Sequence, residues 1–366
     1  MISFSIHILT TNYFFAKTLL PSRFFFDVSF LLLTTVMLVL VFIVFYLFYY
    51  LNRTSKKTEI VRLYSDIISE IILCETDEEL KEVIAQLDAQ KIITHWFAEP
   101  VGRKILIQEL VKIHKTISGK GADNIRWMYE HFGLVEDSLN DLASHKWHRK
   151  AVAIQQLAEM KQIKYLTKIY KATNSKNKWI RTEAQIAVVK LTGFKGLRFL
   201  NIISHPISQW QQLCLLRELV MDHEYSSSNL KSWLCSTNDS VVEFTLRLIK
   251  KFMCFELQKE VVGCLYHKAD NVREAAISTL TEIAADETPW LLQERFASAS
   301  RKEKLLILSV LKERGVEEQG SFFRDLLCHE DTRIKTAARA ALMRIAESAS
   351  NIYNLPNGVE QKADVA

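Results

Sequence analysis

The chain has 366 residues, 47 of them basic and 42 acidic, giving a net charge of +5, and 49% are apolar. So even a balance, without a run of five or more like charges, gives a mixed surface rather than a charged tail. Ten glycines and five prolines leave little material for hairpin turns, which excludes a β-rich fold and leaves an all-helical one.

Residues 1–26 are apolar and aromatic but are interrupted by Lys17, Pro21 and Arg23, so they do not make a span of their own. Val28–Leu51 then carries no charge at all. As a helix this segment is roughly 36 Å long, enough to cross a hydrocarbon core of about 30 Å with some tilt. A cleavable leader would have a shorter apolar core and a small-residue cleavage site. Here the run ends in aromatics, Phe45 to Tyr50, as at a membrane interface. The sequence therefore predicts a retained single-pass anchor. Arg53, Lys56, Lys57 and Arg62 come after it, against Lys17 and Arg23 before it. That bias places the C-terminal region in the cytoplasm (at the inner or plasma membrane if the chain is bacterial), with residues 1–27 as a short extracytoplasmic N-terminus.

Residues 52–137 read as a juxtamembrane helical adapter that also caps the region C-terminal to it. Expected helices are Glu59–Leu73, Glu79–Leu87 behind a capping box at Thr76-Asp77-Glu78-Glu79, Ile105–Ile117, and Asp123–Phe132 closing at Gly133.

From about Ser138 to Ser350 the chain repeats. Segments beginning at Ile180, Val241, Val272 and Ile334 carry apolar residues at their first, ninth and twelfth positions, with small residues favoured at the fourth or fifth. Weaker copies beginning at Lys146, Ser208 and Ser300 fill the gaps. Seven units of 28–34 residues result, each too small to bury its own apolar face. A second helix per unit is expected over Gln162–Tyr170, Leu197–Ile203, Leu257–Tyr266 and Gln319–Cys328. Acidic turns at Asn238-Asp239, Asp270-Asn271 and Glu330-Asp331 are expected to cap the helix on their C-terminal side. Asn351–Ala366 is polar and aperiodic, and reads as a disordered tail.

Asp270-Asn271-Val272-Arg273 with Ala275, Ala276 and Leu280 resembles a HEAT repeat of the short variety found in many bacterial proteins. Asp331 with Ile334-Lys335, Ala337, Ala338 and Leu342 matches the same pattern. Ile180-Arg181 with Ala184 departs from it by having Asn177-Lys178-Trp179 for the acidic turn, and Val241-Val242 keeps Asp239 but replaces the base. The resemblance covers residues 138–350 and implies an α-solenoid of about seven helix pairs. It implies no particular activity, because such arrays serve unrelated tasks.

Motifs for chemistry are absent from the sequence or fail on spacing. Ser118-Gly119-Lys120-Gly121 has His114 where a phosphate loop needs glycine and Gly121 where it needs a hydroxyl. His145 and His148 lack a third ligand at usable spacing, His223-Glu224 is not followed by a second histidine, and adjacent residues of Cys328-His329-Glu330-Asp331 cannot all face one ion. The six cysteines are scattered singly without a C-x-x-C pair, which reads as small buried hydrophobes in a reducing compartment. No catalytic residue, cofactor, metal or small-molecule ligand is expected, and an anchor with modest net charge argues against nucleic acid.

Trp147, Trp179 and Trp210 recur 32 and 31 residues apart, flanked by the bases Arg149, Lys150, Arg181 and Arg217. Tryptophan and arginine are enriched at binding hot spots. These residues are either a partner-binding strip or rings packed between neighbouring repeats. The expected function is a membrane-tethered, non-catalytic cytoplasmic scaffold that binds protein partners. The alternative is an accessory subunit of a membrane enzyme system, as in envelope or polysaccharide synthesis.

Overall fold

The computed structural model describes residues 22–89, 99–219, 226–314 and 317–353. The expectations for residues 1–21, for His223-Glu224 and for the tail beyond Tyr353 lie outside the described residues. Every regular element among the described residues is a helix, and none is a strand. The chain divides into two compact units, 1–134 and 135–366.

Unit 1 begins with α1, Ser22–Leu73, a single helix of 52 residues. The sequence separates an anchor ending at Leu51 from an amphipathic helix starting at Glu59, whereas the structure joins them. Residues 52–58 contain neither glycine nor proline, so nothing stops the helix there. Its segment Phe25–Leu51, of mean hydropathy 2.9, is the one stretch among the described residues long and apolar enough to cross a membrane, and none of it is buried. Beyond it, Tyr64, Ile67, Ile68 and Ile71 face inward and are buried. Three further helices are α2 (Asp77–Ala89), α3 (Pro100–His114) and α4 (Lys120–His131). α1 packs on α3 and α4, where Leu106, Leu110, Ile125, Met128 and Tyr129 are buried. Asn124 Nδ2 donates to the carbonyls of Ile71 and Cys74 at 2.9 and 2.8 Å, satisfying the open end of α1. The capping box forms as expected: Glu79 N–H donates to Thr76 Oγ1 at 3.2 Å and Thr76 N–H to Glu79 Oε2 at 3.4 Å. Lys120 pairs with Asp77 at 2.6 Å, so the lysine of the failed phosphate loop ties two helices together.

Unit 2 is an α-solenoid of helix pairs. Its long helices are α6 (Trp147–Glu159), α8 (Lys178–Thr192), α9 (Gln209–Glu218), α11 (Asp239–Phe252), α13 (Asp270–Ile283), α15 (Arg301–Arg314) and α17 (Thr332–Tyr353). Each opens 30 or 31 residues after the one before. Before them come α5 (Leu134–Ala143), α7 (Leu166–Tyr170), a 3-10 segment Gly193–Asn201, α10 (Ser227–Leu234), α12 (Gln258–Gly263) between 3-10 turns, α14 (Thr288–Phe296) and α16 (Gly320–Leu326). The partner helices are thus shorter and more broken than the periodicity suggests. Gly193, at φ +59°, ends α8 in a conformation that side chains resist, and a Cβ on Gly196 would lie 2.7 Å from Val188 O. These two glycines let the chain turn tightly enough to replace a helix by a 3-10 segment.

The long helices stack in series, α6 on α8 and α11, α13, α15 and α17 on one another, so that a continuous core runs from Val189 to Ile345. Ala184, Thr245, Ala276 and Ala338 occupy the fifth position of the repeat pattern and are completely buried, which lets neighbouring helices approach closely.

Capping departs from expectation in two places. Asn177, Ser208 and Asn238 accept backbone N–H groups at the starts of α8, α9 and α11. Asn238 holds the cap position, which pushes Asp239 into the first turn. Ala269 does the same to Asp270, whose carboxylate instead pairs with Arg273 at 2.6 Å. Asp331 does cap, accepting Arg333 N–H at 2.9 Å. Two cysteines also correct the sequence reading, since Cys235 and Cys328 are exposed while the other four are buried.

Candidate functional site

The surface of unit 2 carries two kinds of polar feature that must be separated before a site can be assigned. One holds repeats together. Glu303 is buried between α13 and α15, where it accepts Arg273 Nε at 2.7 Å and, through its other oxygen, the backbone N–H of Ser300 at 3.0 Å. Asn271 Nδ2 reaches back to Glu243 at 2.7 Å, and Glu243 also accepts Arg247 at 2.9 Å. Earlier in the stack Gln211 bonds Gln185, Gln185 donates to Thr173 O at 2.8 Å, and Gln156 accepts Ser138 Oγ at 2.8 Å. These bonds form a ladder along the stack, with buried glutamines in the earlier repeats where the later ones use ion pairs.

A cleft of about 540 Å³ lies along α11, α13 and α15. Its charged side chains are already engaged with one another: Lys302 pairs with Glu274, Lys250 donates to Ser278 Oγ at 3.1 Å, and Lys251 donates to the carbonyls of Leu216 and Leu219. The cleft is a seam between repeats whose charges neutralise each other locally.

The other feature is exposed. Trp147, Trp179 and Trp210 stand at the first or second residue of α6, α8 and α9, along one edge of the stack. Their exposures are 47, 59 and 71%, so the fold does not enclose any of them. Trp147 and Trp179 stack on each other across the repeat boundary, 6.2 Å between centroids and 22° between planes. The two sequence readings therefore merge for this pair: the rings touch between repeats and still face solvent.

The bases sort differently. Arg149 is engaged with Asp141. Arg181 donates to the carbonyls of Ser175 and Lys176 at 2.6 and 3.3 Å, and burial lowers its pKa. Both therefore fix the turns that lead into α6 and α8 rather than standing free beside the rings. Arg217 is exposed and pairs with its neighbour Glu218 at 3.1 Å. Lys150, Lys168 and Lys171 line a recess together with Leu139, Leu142 and Ile180, and the last two lysines were not singled out from the sequence. A sign of them was there: between Ser144 and Ile203 stand thirteen lysines and arginines and only two acidic residues, Glu159 and Glu183. Alternation with apolar residues hides that excess from any search for charge runs. No group of three or more histidine, cysteine or acidic side chains placed to hold a metal occurs among the described residues.

No protein-family model and no curated protein matches the chain. Similar solved structures include human deoxyhypusine hydroxylase with glycerol, at 11% identity over 68% of this chain and 100% of that one, TM-score 0.32. A designed armadillo repeat protein in complex with the peptide (KR)4 is 14% identical over 76% and 98%, TM-score 0.23. The karyopherin Kap121p bound to the extreme C-terminus of the phosphatase Cdc14p is 12% identical over 80% of this chain, TM-score 0.33, and the chain spans about a third of its length. At such TM-scores these likenesses carry nothing about function, and the solenoid rests on the chain's own helix pairs.

Proposed function

We propose that the protein is a membrane-tethered scaffold whose helical repeats bind protein partners without catalysing a reaction. In this reading residues 28–51 span the membrane, 52–137 form an adapter, and 138–350 form a cytoplasmic HEAT-like solenoid. The observation that carries it is the edge formed by Trp147, Trp179 and Trp210, large rings at repeating positions that folding leaves about half or more exposed. Rings of this size gain most when a partner desolvates them, and they dominate interfaces where they occur. Arg217 borders the strip as a further contact, while Arg149 and Arg181 support the turns beneath it.

The test is partner capture by the full chain in mild detergent, with Trp179→Ala and Trp210→Ala beside the native protein. Each change should weaken capture by about 2 kcal/mol, roughly thirtyfold, with helicity unchanged. Equal capture by all three proteins would remove the strip from the interface. Deleting residues 1–51 separates the two roles: a scaffold releases its soluble partner with it, whereas an accessory subunit loses contact with a membrane enzyme.

A further inference from the structure

A recess of about 520 Å³ is lined in part by Lys150 and Ile180, which follow Trp147 and Trp179 by three residues and by one. Leu139, Leu142 and Ile180 line it with apolar surface, and Lys150, Lys168 and Lys171 stand around it on α6, on α7 and just after α7. No carboxylate lines it. Of the acids close in sequence, Asp141 is taken up by Arg149, and neither Asp137 nor Glu183 lines the recess; Arg181 holds the Ser175–Lys176 wall through its two carbonyl bonds. Lys168 also places its ammonium over the Tyr165 ring, 5.6 Å from the centroid. The contrast with the cleft along α11 to α15 is direct: there each cation has an acid, a hydroxyl or a carbonyl, and here three ammonium groups border an apolar hollow. Lys146, Lys176 and Lys178, all exposed, extend the same edge through the turns into α6 and α8.

We infer that this recess is the docking site for an acidic peptide segment carrying an apolar side chain. The inference rests on the scaffold reading above and names the chemistry of its partner. Two observations select this occupant. Clustered lysines with no carboxylate lining the recess favour an anionic ligand and speed its approach. The concave shape with an apolar floor calls for a ligand that protrudes, which an aliphatic or aromatic side chain does and a flat layer of lipid headgroups does not. Lysines also carry the positive field without fixed geometry, which suits a run of Asp and Glu more than a single bidentate phosphate or carboxylate.

The experiment uses the full chain in nanodiscs of neutral phosphatidylcholine and a fluorescein-labelled peptide of repeating Glu-Leu-Glu-Ser, read by anisotropy. A Gln-Leu-Gln-Ser peptide is the uncharged counterpart. The acidic probe should bind, weaken as salt is raised, and lose at least about tenfold in affinity in the triple variant K150E/K168E/K171E. The variant K259E/K312E/K335E changes net charge equally on other repeats and should bind as the native chain does. Lys168 and Lys171 are exposed and Lys150 is half-buried, so K150Q/K168Q/K171Q gives a milder variant if charge reversal disturbs folding. Equal binding of the two peptides, or equal losses in the two charge-reversed triples, would overturn the proposal. So would nanodiscs containing anionic phosphatidylglycerol shielding Lys168 and Lys171 from acylation while the acidic peptide fails to do so, since that outcome assigns the rim to lipid. Failure of the scaffold reading is distinct: it shows as partner capture indifferent to the tryptophan variants. Capture that needs the tryptophans but ignores both salt and the lysine triple would sink the acidic segment alone.

Discussion

Replacing Glu303 by alanine tests how the repeats are held together. Glu303 is 1% exposed and Arg273 16%, and the pair joins α13 to α15 at 2.7 Å. Removing one partner of a buried pair costs about 3–5 kcal/mol because the other charge is left uncompensated. The lower end applies, since Arg273 keeps Asp270 and the carbonyls of His267 and Lys268, and Arg295, 3.6 Å from Glu303, keeps the Leu265 carbonyl and Ser298. Loss of the capping box between Ser300 and Glu303, about 0.5–1 kcal/mol, is already contained in that figure. The total is about 3 kcal/mol. Lys302 and Glu274 bridge the same two helices, but Lys302 is 72% exposed, so Lys302→Ala should cost only about 0.2–1 kcal/mol. Hydrogen exchange on the full chain in detergent reads both changes locally, in peptides covering Asp270–Ile283 and Arg301–Arg314. Amides there should exchange about 150-fold faster in Glu303→Ala and no more than about fivefold faster in Lys302→Ala. If the two variants exchange alike, burial does not govern this ladder and the reasoning fails.

Two further outcomes are expected from the packing. Ala276→Leu or Ala338→Leu should overpack a fully buried helix contact and destabilise by about 1–3 kcal/mol, read by the same exchange measurement, and two silent variants would mean that the repeat register is wrong. In thiol labelling at pH 8, Cys235 and Cys328 should react quickly and Cys264 slowly, because burial pushes the Cys264 thiol up to about 11 and keeps it protonated. Its folded pKa is raised, so its contribution is intact below about pH 9 and is lost as the pH climbs towards 11, where the unfolded thiol ionises first; fast labelling of Cys264 in the folded chain would contradict its burial.

The sequence by itself determined the repeat, because each unit must bury one apolar stripe against the next, and Val241, Val272 and Ile334 mark that stripe by spacing alone. It also determined the apolar stretch within α1, where the absence of charge is a property of composition. The capping box at Thr76 was legible for the same reason: its partners lie within four residues. Tertiary structure alone decided the rest. Whether Trp147, Trp179 and Trp210 were enclosed or exposed depended on where the turns into α6, α8 and α9 directed them, which periodicity does not encode. Arg149 and Arg181 looked like free flanking cations until folding brought Asp141 and the Ser175 and Lys176 carbonyls to them. Lys168 and Lys171 join Lys150 only because α7 packs on α8, which itself stacks on α6, and Glu303 meets Arg273 only because residues 30 apart become neighbours in the stack. Local chemistry is written along the chain, whereas a site made of charges from successive repeats exists only once those repeats are packed.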